Sequence, residues 1–269
     1  MKNRIATLLF SGAGVAILSQ PPAQAQSVPQ VREALEEITV TARRREESLQ
    51  EAPLSITAFG SEQIERAGIA GFGDVAKLTP SLVFDQDFGA NDTRPSIRGL
   101  PATRGRPPVG ILIDGIDVSS EAIATAGGGN LLNLRLLDLE RIEVVKGPQS
   151  ALYGRVAFGG AVNYVTARAG DTVSGKLSAG VASGDSYELS GSIGGPVGEG
   201  GLRARLYGGY SRADGFHRNI VSGENLGGHE AKQVSLAFDY GRGDDFALRG
   251  FLSWGDQQVE QQPYYQYST

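Results

Sequence analysis

"LERIEVVKGPQSALYG", Leu139 to Gly154, changes character in its middle, and that change decides how the surrounding chain is read. Ile142, Val144 and Val145 are β-branched and favour an extended backbone from about Arg141 to Lys146. Pro148 then suits the first turn of a short helix that stops near Gly154. Downstream, "GGAVNYVTARA" (Gly159 to Ala169) is a further strand entered through a glycine pair. Upstream, "VGILIDGIDVS" (Val109 to Ser119) sets two apolar runs around Asp114-Gly115, the strongest short-range hairpin signal. Leu54 to Phe59 alternates like a short strand, and Ser61 is placed to cap a helix running to about Ala67, with Gly68 as its stop. Asp74 to Leu78 suggests another short helix, ended by Pro80. Strand and helix signals thus mix from Ala52 to Ala169, and the expectation is an α+β domain of about 120 residues, large enough for its own core.

From about Gly170 the texture changes to Gly, Ser, Tyr and strict alternation. Leu177, Ala179 and Val181 share one face, against Lys176, Ser178 and Gly180. Tyr187, Leu189 and Ile193 oppose Glu188, Ser190 and Ser192. Leu202, Ala204, Leu206 and Tyr210 oppose Arg203, Arg205 and Ser211. Val234, Leu236, Phe238 and Tyr240 oppose Gln233, Ser235 and Asp239, and Phe246, Leu248, Leu252 and Trp254 oppose Ala247, Arg249 and Ser253. The pattern predicts about five strands of roughly nine to eleven residues, each with one apolar and one polar face, as in a transmembrane β-barrel. A soluble antiparallel sheet with one buried face alternates in the same way; export, a lack of helices and the turn asymmetry favour the barrel. The smallest such barrels have about eight strands and plugged ones about 22, so about five can neither close nor enclose a domain. The stretch 170–269 is therefore expected to be only the start of a barrel, truncated.

The front of the chain is an address. Lys2 and Arg4 precede an apolar run of 14 residues, Ile5 to Leu18, and Ala23-Gln24-Ala25 is a cleavage signature. Residues 1–25 are expected to be a signal peptide, since the run is shorter than the roughly 20 residues of a membrane-spanning helix. Residues 26–51 are polar and read as a flexible tether. Within it "EEITVTARRREE" (Glu36 to Glu47) holds a β-prone centre with no apolar partner nearby. Exposed extended segments recruit foreign strands and are usually avoided, so one in this place asks for a purpose.

Composition excludes several functions. The chain has 269 residues, a net charge of -5 and no cysteine, so it carries no disulfide framework, thiolate nucleophile or strongly basic nucleic-acid surface. His217 and His229, in glycine-rich surroundings, are poorly spaced for a metal site. Asp114 with Asp117, or Glu140 with Glu143, could be offered as paired carboxylates of a glycosidase. Asp114, however, is explained as a turn residue. There is no phosphate-binding G-x-x-x-x-G-K-[ST], no G-x-S-x-G elbow and no Cys/His pair, so no catalytic residue or cofactor is assigned.

In order, "EITVTA", "PLSITAFGSEQIERAG", "SIRGL", "VGILIDGIDVS", "LERIEVVKGPQSALYG" and "FGGAVNYVT", behind a signal peptide, resemble the TonB-dependent outer-membrane receptors. The likeness covers nearly the whole mature chain; one departure is Val156, where family members often carry Asn or Ser. The resemblance implies a plug domain over 52–169 followed by the first barrel strands, and a partner, TonB, that pairs with the box formed by Glu37, Ile38, Thr39, Val40, Thr41 and Ala42. It implies a lock between plug and barrel in which plug arginines pair with carboxylates on the barrel wall, carried here by Arg98 and by Arg141 with Glu143 in the ERIEV segment. It further implies that plug loops carrying Arg94, Arg104 and Arg106 face a small ligand, for which arginine suits an anionic ferric siderophore. Outer-membrane lipid would surround the barrel, and the chain alone is not expected to be a competent transporter. A freestanding periplasmic plug-like binding module is the alternative, against which the amphipathic strands argue. N-terminal sequencing of the exported protein should begin at Gln26; export with the leader intact would overturn the signal assignment.

Overall fold

The computed structural model describes residues 38–41, 45, 47–69, 71–86, 93–100, 108–119, 138–154, 157–220, 222–242 and 246–260. The signal peptide, Glu37, Ala42, Arg104, Arg106 and Val156 lie outside the described residues, as does the side chain of Arg94.

The first half is built from β1 (Thr39–Val40), β2 (Glu47–Ser48), β3 (Ser55–Gly60), α1 (Ser61–Arg66), α2 (Phe72–Leu78), β4 (Leu82–Gln86), β5 (Thr93–Ile97), β6 (Val109–Ile113), β7 (Ile116–Asp117), β8 (Leu139–Lys146), α3 (Ser150–Tyr153) and β9 (Gly160–Thr166). Its main sheet has the order β3-β8-β9-β6-β7, with β6 and β9 parallel and the other neighbours antiparallel. The strand at its centre, β9, is buried along its whole length. Phe72, Val75, Leu82 and Ile97 close over Ile142, Val144, Val162 and Tyr164 to form the core. Ile142 and Val144 point into that core, so alternation turns Arg141 and Glu143 to the opposite face of β8.

Local signals act as expected at the hairpin. Asp114 and Gly115 have φ of 49° and 78°, and two consecutive positive values make the tight turn that matches strand twist. At α1 the cap is displaced: Gly60 is the N-cap, Ser61 is the first helical residue, and Gln63 Oε1 accepts from Gly60 N at 3.3 Å. The glutamine side chain thus satisfies the cap residue's own N–H, while the bond that a serine hydroxyl at the cap would accept from the first turn is not made by glycine.

The second half is a five-stranded antiparallel sheet of order β10-β11-β12-β15-β16, comprising β10 (Ser174–Ala182), β11 (Ser186–Val197), β12 (Leu202–Ala213), β15 (His229–Arg242) and β16 (Phe246–Val259). A small hairpin, β13 (His217–Arg218) with β14 (Asn225–Leu226), decorates the connection between β12 and β15. The register aligns the apolar sets: Ile193 lies opposite Leu206, Leu206 opposite Leu236, and Leu236 opposite Leu252.

The apolar face is the exposed one. Leu177 is 79% and Val181 90% exposed, while Ser211, Gln233, Ser235 and Asp239 on the other face are buried. A water-soluble sheet does the reverse, so the structure decides between the two readings of the alternation in favour of a barrel wall. Aromatics mark both ends of the outward face: Tyr187 and Tyr210 have ring centroids 5.9 Å apart at one end, and Tyr240 and Phe246 6.3 Å at the other. Lys232, opposite Tyr210, is eight residues from Tyr240, about 26 Å along the strand and ~20 Å after the usual tilt, comparable with the apolar band of such barrels. Among the described residues no helix is long and apolar enough to cross a membrane.

Gly160 fixes the entry to β9. Its φ is +151°, and a Cβ there would lie 2.5 Å from the Val145 carbonyl oxygen and 2.6 Å from Ile97. Gly160→Ala should therefore destabilise the domain by about 2–4 kcal/mol, read as a lowered unfolding midpoint of the detergent-purified chain. An unchanged midpoint would show that this entry is not constrained as described.

Candidate functional site

The site forms where the front of the chain meets the polar face of β8 and β9. Glu143 has no solvent exposure, and a carboxylate so placed must be neutralised or fully hydrogen-bonded. Arg141 Nε donates to Glu143 Oε1 at 2.8 Å, Arg141 also pairs with Glu140, and Asn163 Nδ2 donates to Glu143 Oε2 at 3.4 Å. The remaining donors come from Thr41: its backbone N–H reaches Glu143 Oε1 at 2.8 Å and its hydroxyl the same oxygen at 3.1 Å. Tyr153, from α3, donates to the Thr41 carbonyl at 3.4 Å. Asn163 Oδ1 accepts from Gly115 N at 2.9 Å, and Asp114 accepts from Thr166 N at 3.0 Å and Thr166 Oγ1 at 2.7 Å, so the hairpin turn belongs to the same network.

This placement corrects the expectation that the segment from Ile38 to Thr41 is unburied. Val40 is 0% exposed, and Thr39 and Val40 pair with Ser48 and Glu47 in a short antiparallel ladder. The chain supplies its own strand, a few residues downstream, and a buried carboxylate needs the backbone donor that the segment offers. Sequence reasoning saw the β propensity and missed both partners, because Glu143 lies 102 residues away from Thr41 and no local pattern points to it.

The five wall strands supply no partner to Arg98, Arg141 or Glu143 among the described residues. Among the described residues Arg141 and Glu143 pair with each other and with neighbours in their own domain, because strand alternation turns them toward the Thr41 segment. Arg98 is exposed in a left-handed turn after β5, with φ of 54°, and no wall carboxylate pairs with it among the described residues. Contacts to the wall come from residues that were not singled out. Arg205 Nε and a terminal nitrogen bind the two oxygens of Asp138 at 2.5 and 3.1 Å, and Lys176 pairs with Glu65. In the link that follows β9, Arg168 pairs with Asp239 at 2.7 Å, and Asp171 pairs with Arg203 at 2.9 Å. The wall thus supplies cations to carboxylates of the first domain, the opposite sense to the expected one except at Asp239.

An open cavity of about 890 Å³ adjoins the Thr41 segment, lined among others by Arg45, Asp114, Asp117, Arg168 and Arg249. Arg168 and Arg249 both reach Asp239, so this segment lies toward the end of the wall that holds the short turn 198–201. The long connection 214–228 is at the other end, which in outer-membrane barrels is the extracellular one. Among the described residues no cluster of His, Asp or Glu could hold a metal ion.

Comparison with known proteins agrees with this architecture. Residues 48–161 match the family described as TonB-dependent Receptor Plug Domain. The vitamin B12 transporter BtuB of Vibrio vulnificus (strain CMCP6) is 28% identical over 225 residues, covering 83% of this chain and 36% of that protein. The pesticin receptor of Yersinia pestis is 27% identical over 232 residues, covering 84% and 32%. Among solved structures, the ferric yersiniabactin uptake receptor FyuA from Yersinia pestis superposes with a TM-score of 0.66 at 24% identity, covering 76% of this chain and 32% of that one. The pyoverdine outer membrane receptor FpvA from Pseudomonas aeruginosa PAO1, bound to pyoverdine, gives 0.67 at 20% identity, covering 81% and 30%. A plug-type domain beside an inside-out sheet is the class that fold and site define. Residues 48–161 are thus similar to the plug domain of TonB-dependent receptors, and the chain spans about a third of the length of the curated relatives it matches. Those relatives are named as transporters and receptors, not enzymes.

Hydrogen bonds to a charged group contribute about 1.5–3 kcal/mol each. With Val40→Cys as a reporter in a chain that has no native cysteine, Glu143→Ala should raise the rate of maleimide labelling about 10–100-fold. Equal rates in the two backgrounds would mean that Glu143 does not hold the segment.

Proposed function

We propose that the chain is the N-terminal portion of an outer-membrane receptor for energised uptake of a scarce ligand, most fittingly a ferric siderophore. The observation that carries this reading is the stowed segment at Ile38 to Thr41. It is β-prone, it ends in a network of hydrogen bonds that can be exchanged, and it lies at the end of the wall that holds the short turn 198–201. TonB, in this reading, adds a strand to Glu37–Ala42 once the segment leaves Glu143, with backbone hydrogen bonds supplying affinity and alternate side chains supplying register. Arg94, Arg104 and Arg106 would face an anionic ligand from the outer side, and residues 1–25 would be removed on export. The ferric ligand in the name of the yersiniabactin receptor supports this class, and vitamin B12, from the name of another relative, is the competing one.

Proline cannot donate to a ladder, and Val40→Pro removes the donor in the middle of the proposed handle. In the complete receptor this variant should lose energised uptake while ligand affinity stays within about twofold, measured with a panel of ferric siderophores and vitamin B12. Undiminished uptake would remove the handle assignment, and uptake of vitamin B12 alone would replace the siderophore.

A further inference from the structure

Between α1 and the inner face of the wall lies a cavity of about 400 Å³, room for about a dozen waters at about 30 Å³ each. Its two sides differ in kind. On the wall side, alternation sends Ser178 of β10, Glu188 and Ser190 of β11 and Tyr207 of β12 inward, and all four line the cavity. On the plug side, Ile64 of α1, Ile69 just after it and Leu139 of β8 present the flanks that they do not bury in the core. Two ion pairs border the space: Lys176 is held by Glu65, and Arg205 by both oxygens of Asp138. Glu188 has no such partner, for among the described residues no ion pair or hydrogen bond engages its carboxylate. Its neighbours across the strands are Gly180, which has no side chain, and Ser211, which pairs with His229 at 3.2 Å. The two ion pairs cancel, so Glu188 leaves the cavity with one negative charge in excess.

We propose that this cavity is a binding site for a small organic cation, a primary ammonium carried on a short aliphatic chain. An ammonium brings three N–H donors and no acceptor, so its site has to be built of acceptors. Glu188 supplies the counter-charge, and the hydroxyl oxygens of Ser178, Ser190 and Tyr207 supply the remaining lone pairs. Ser178 lies directly opposite Ser190 in the register, and Glu188 stands one step along the same face, about 7 Å from Ser190. The reach of a glutamate side chain spans that gap, so one ammonium can touch the carboxylate and a hydroxyl together. Ile64, Ile69 and Leu139 then cover the aliphatic part, a contact that an inorganic cation has no use for. A hard divalent cation takes about six to eight oxygen ligands, and here it would find one free carboxylate facing an apolar side. The assignment stands apart from the uptake function proposed above, since an anionic ferric ligand is what Glu188 would repel.

The test titrates the purified 269-residue chain, in a non-ionic detergent, with n-butylammonium, n-butanol and butyrate, followed by saturation-transfer NMR. These probes share one shape and differ in charge. Butylammonium should bind saturably with a dissociation constant of about 0.1–10 mM, butanol about tenfold more weakly, and butyrate not at all. Glu188→Gln keeps the size of the side chain and removes its charge; it should weaken butylammonium about tenfold or more and leave butanol unchanged. Ser178→Leu fills the cavity from the wall and should weaken both; if that variant does not fold, the Glu188→Gln series decides alone. Asp185→Asn removes an exposed carboxylate three residues from Glu188, at a left-handed position that asparagine tolerates, and should change nothing. Equal affinity for butylammonium and butanol, or undiminished binding in Glu188→Gln, would overturn the cation site. A loss in Asp185→Asn as large as that in Glu188→Gln would overturn it too, by showing attraction to surface charge at large. Absence of saturable binding by butylammonium would leave the cavity without the proposed occupant and end the assignment.

Discussion

A carboxylate shut away from water has to be surrounded by donors, and Glu143 gathers the polar contacts on its side of the plug sheet, beside a small apolar cluster of Leu112, Tyr153, Ala157 and Ala161. Its oxygens collect Arg141 from the same strand, Asn163 from the neighbouring one and Thr41 from the front of the chain. Asn163 passes the constraint on by accepting from Gly115, which sets the Asp114-Gly115 hairpin against β9. One charge thereby fixes the face of β8, the position of the hairpin turn and the stowed course of residues 38–41. The apolar side of the same sheet needs no such device, because burial of Ile142, Val144, Val162 and Tyr164 is sufficient there.

The wall obeys a second constraint, set by its surroundings. In hydrocarbon the outward face must be apolar and backbone groups must pair with neighbouring strands, so polarity is confined to the inward face. That inverted sheet cannot hold the plug by hydrophobic contact, since Ser, Gln, Arg and Asp are what it presents. Ion pairs and hydrogen bonds are the remaining means of attachment, and they are directional. The plug consequently sits where Asp138 and Glu65 find Arg205 and Lys176, in an otherwise polar and partly hollow contact.

Much of this fold was legible because it rests on period and turn chemistry. Alternation located all five wall strands and assigned their faces, and Asp-Gly located the hairpin. Boundaries shifted where a cap could be supplied by more than one side chain, as at Gly60, Ser61 and Gln63. The choice between barrel and soluble sheet was not legible from alternation, because both alternate; exposure of Leu177 and Val181 on the finished sheet decided it. The site was harder still. Propensity marked Ile38 to Thr41 as strand-forming, but propensity is blind to a partner more than a hundred residues away, and the segment was expected to be free. Arg141 and Glu143 were picked out as charges needing partners, which they are. Their partners were sought on the wall, although Ile142 and Val144 already imply that both point to the other side of β8. Lys176, Arg203 and Arg205 were visible as the polar face of their strands, yet nothing in sequence tied them to Glu65, Asp171 or Asp138.

The composition of the Glu143 network bears on whether the stowed segment can leave at all. Had the segment carried the counter-charge, its departure would strand a buried carboxylate, at a cost of about 3–5 kcal/mol. It does not, because the charge is balanced from within the plug by Arg141, which stays behind together with Asn163. What departs is an amide, a hydroxyl and the side chain of Val40, together worth several kcal/mol at about 1.5–3 for the charged hydrogen bond and about 1.5–2 for the buried valine. That is large enough to keep the segment stowed almost all the time, and small enough for an added strand to outweigh. The β-branched residues Ile38 to Thr41 serve both states for the same reason: extended backbone is required against Ser48 and Glu47 here, and would be required against any strand that replaced them. Only the hydrogen-bonding partner changes, so the exchange needs no refolding of the segment itself.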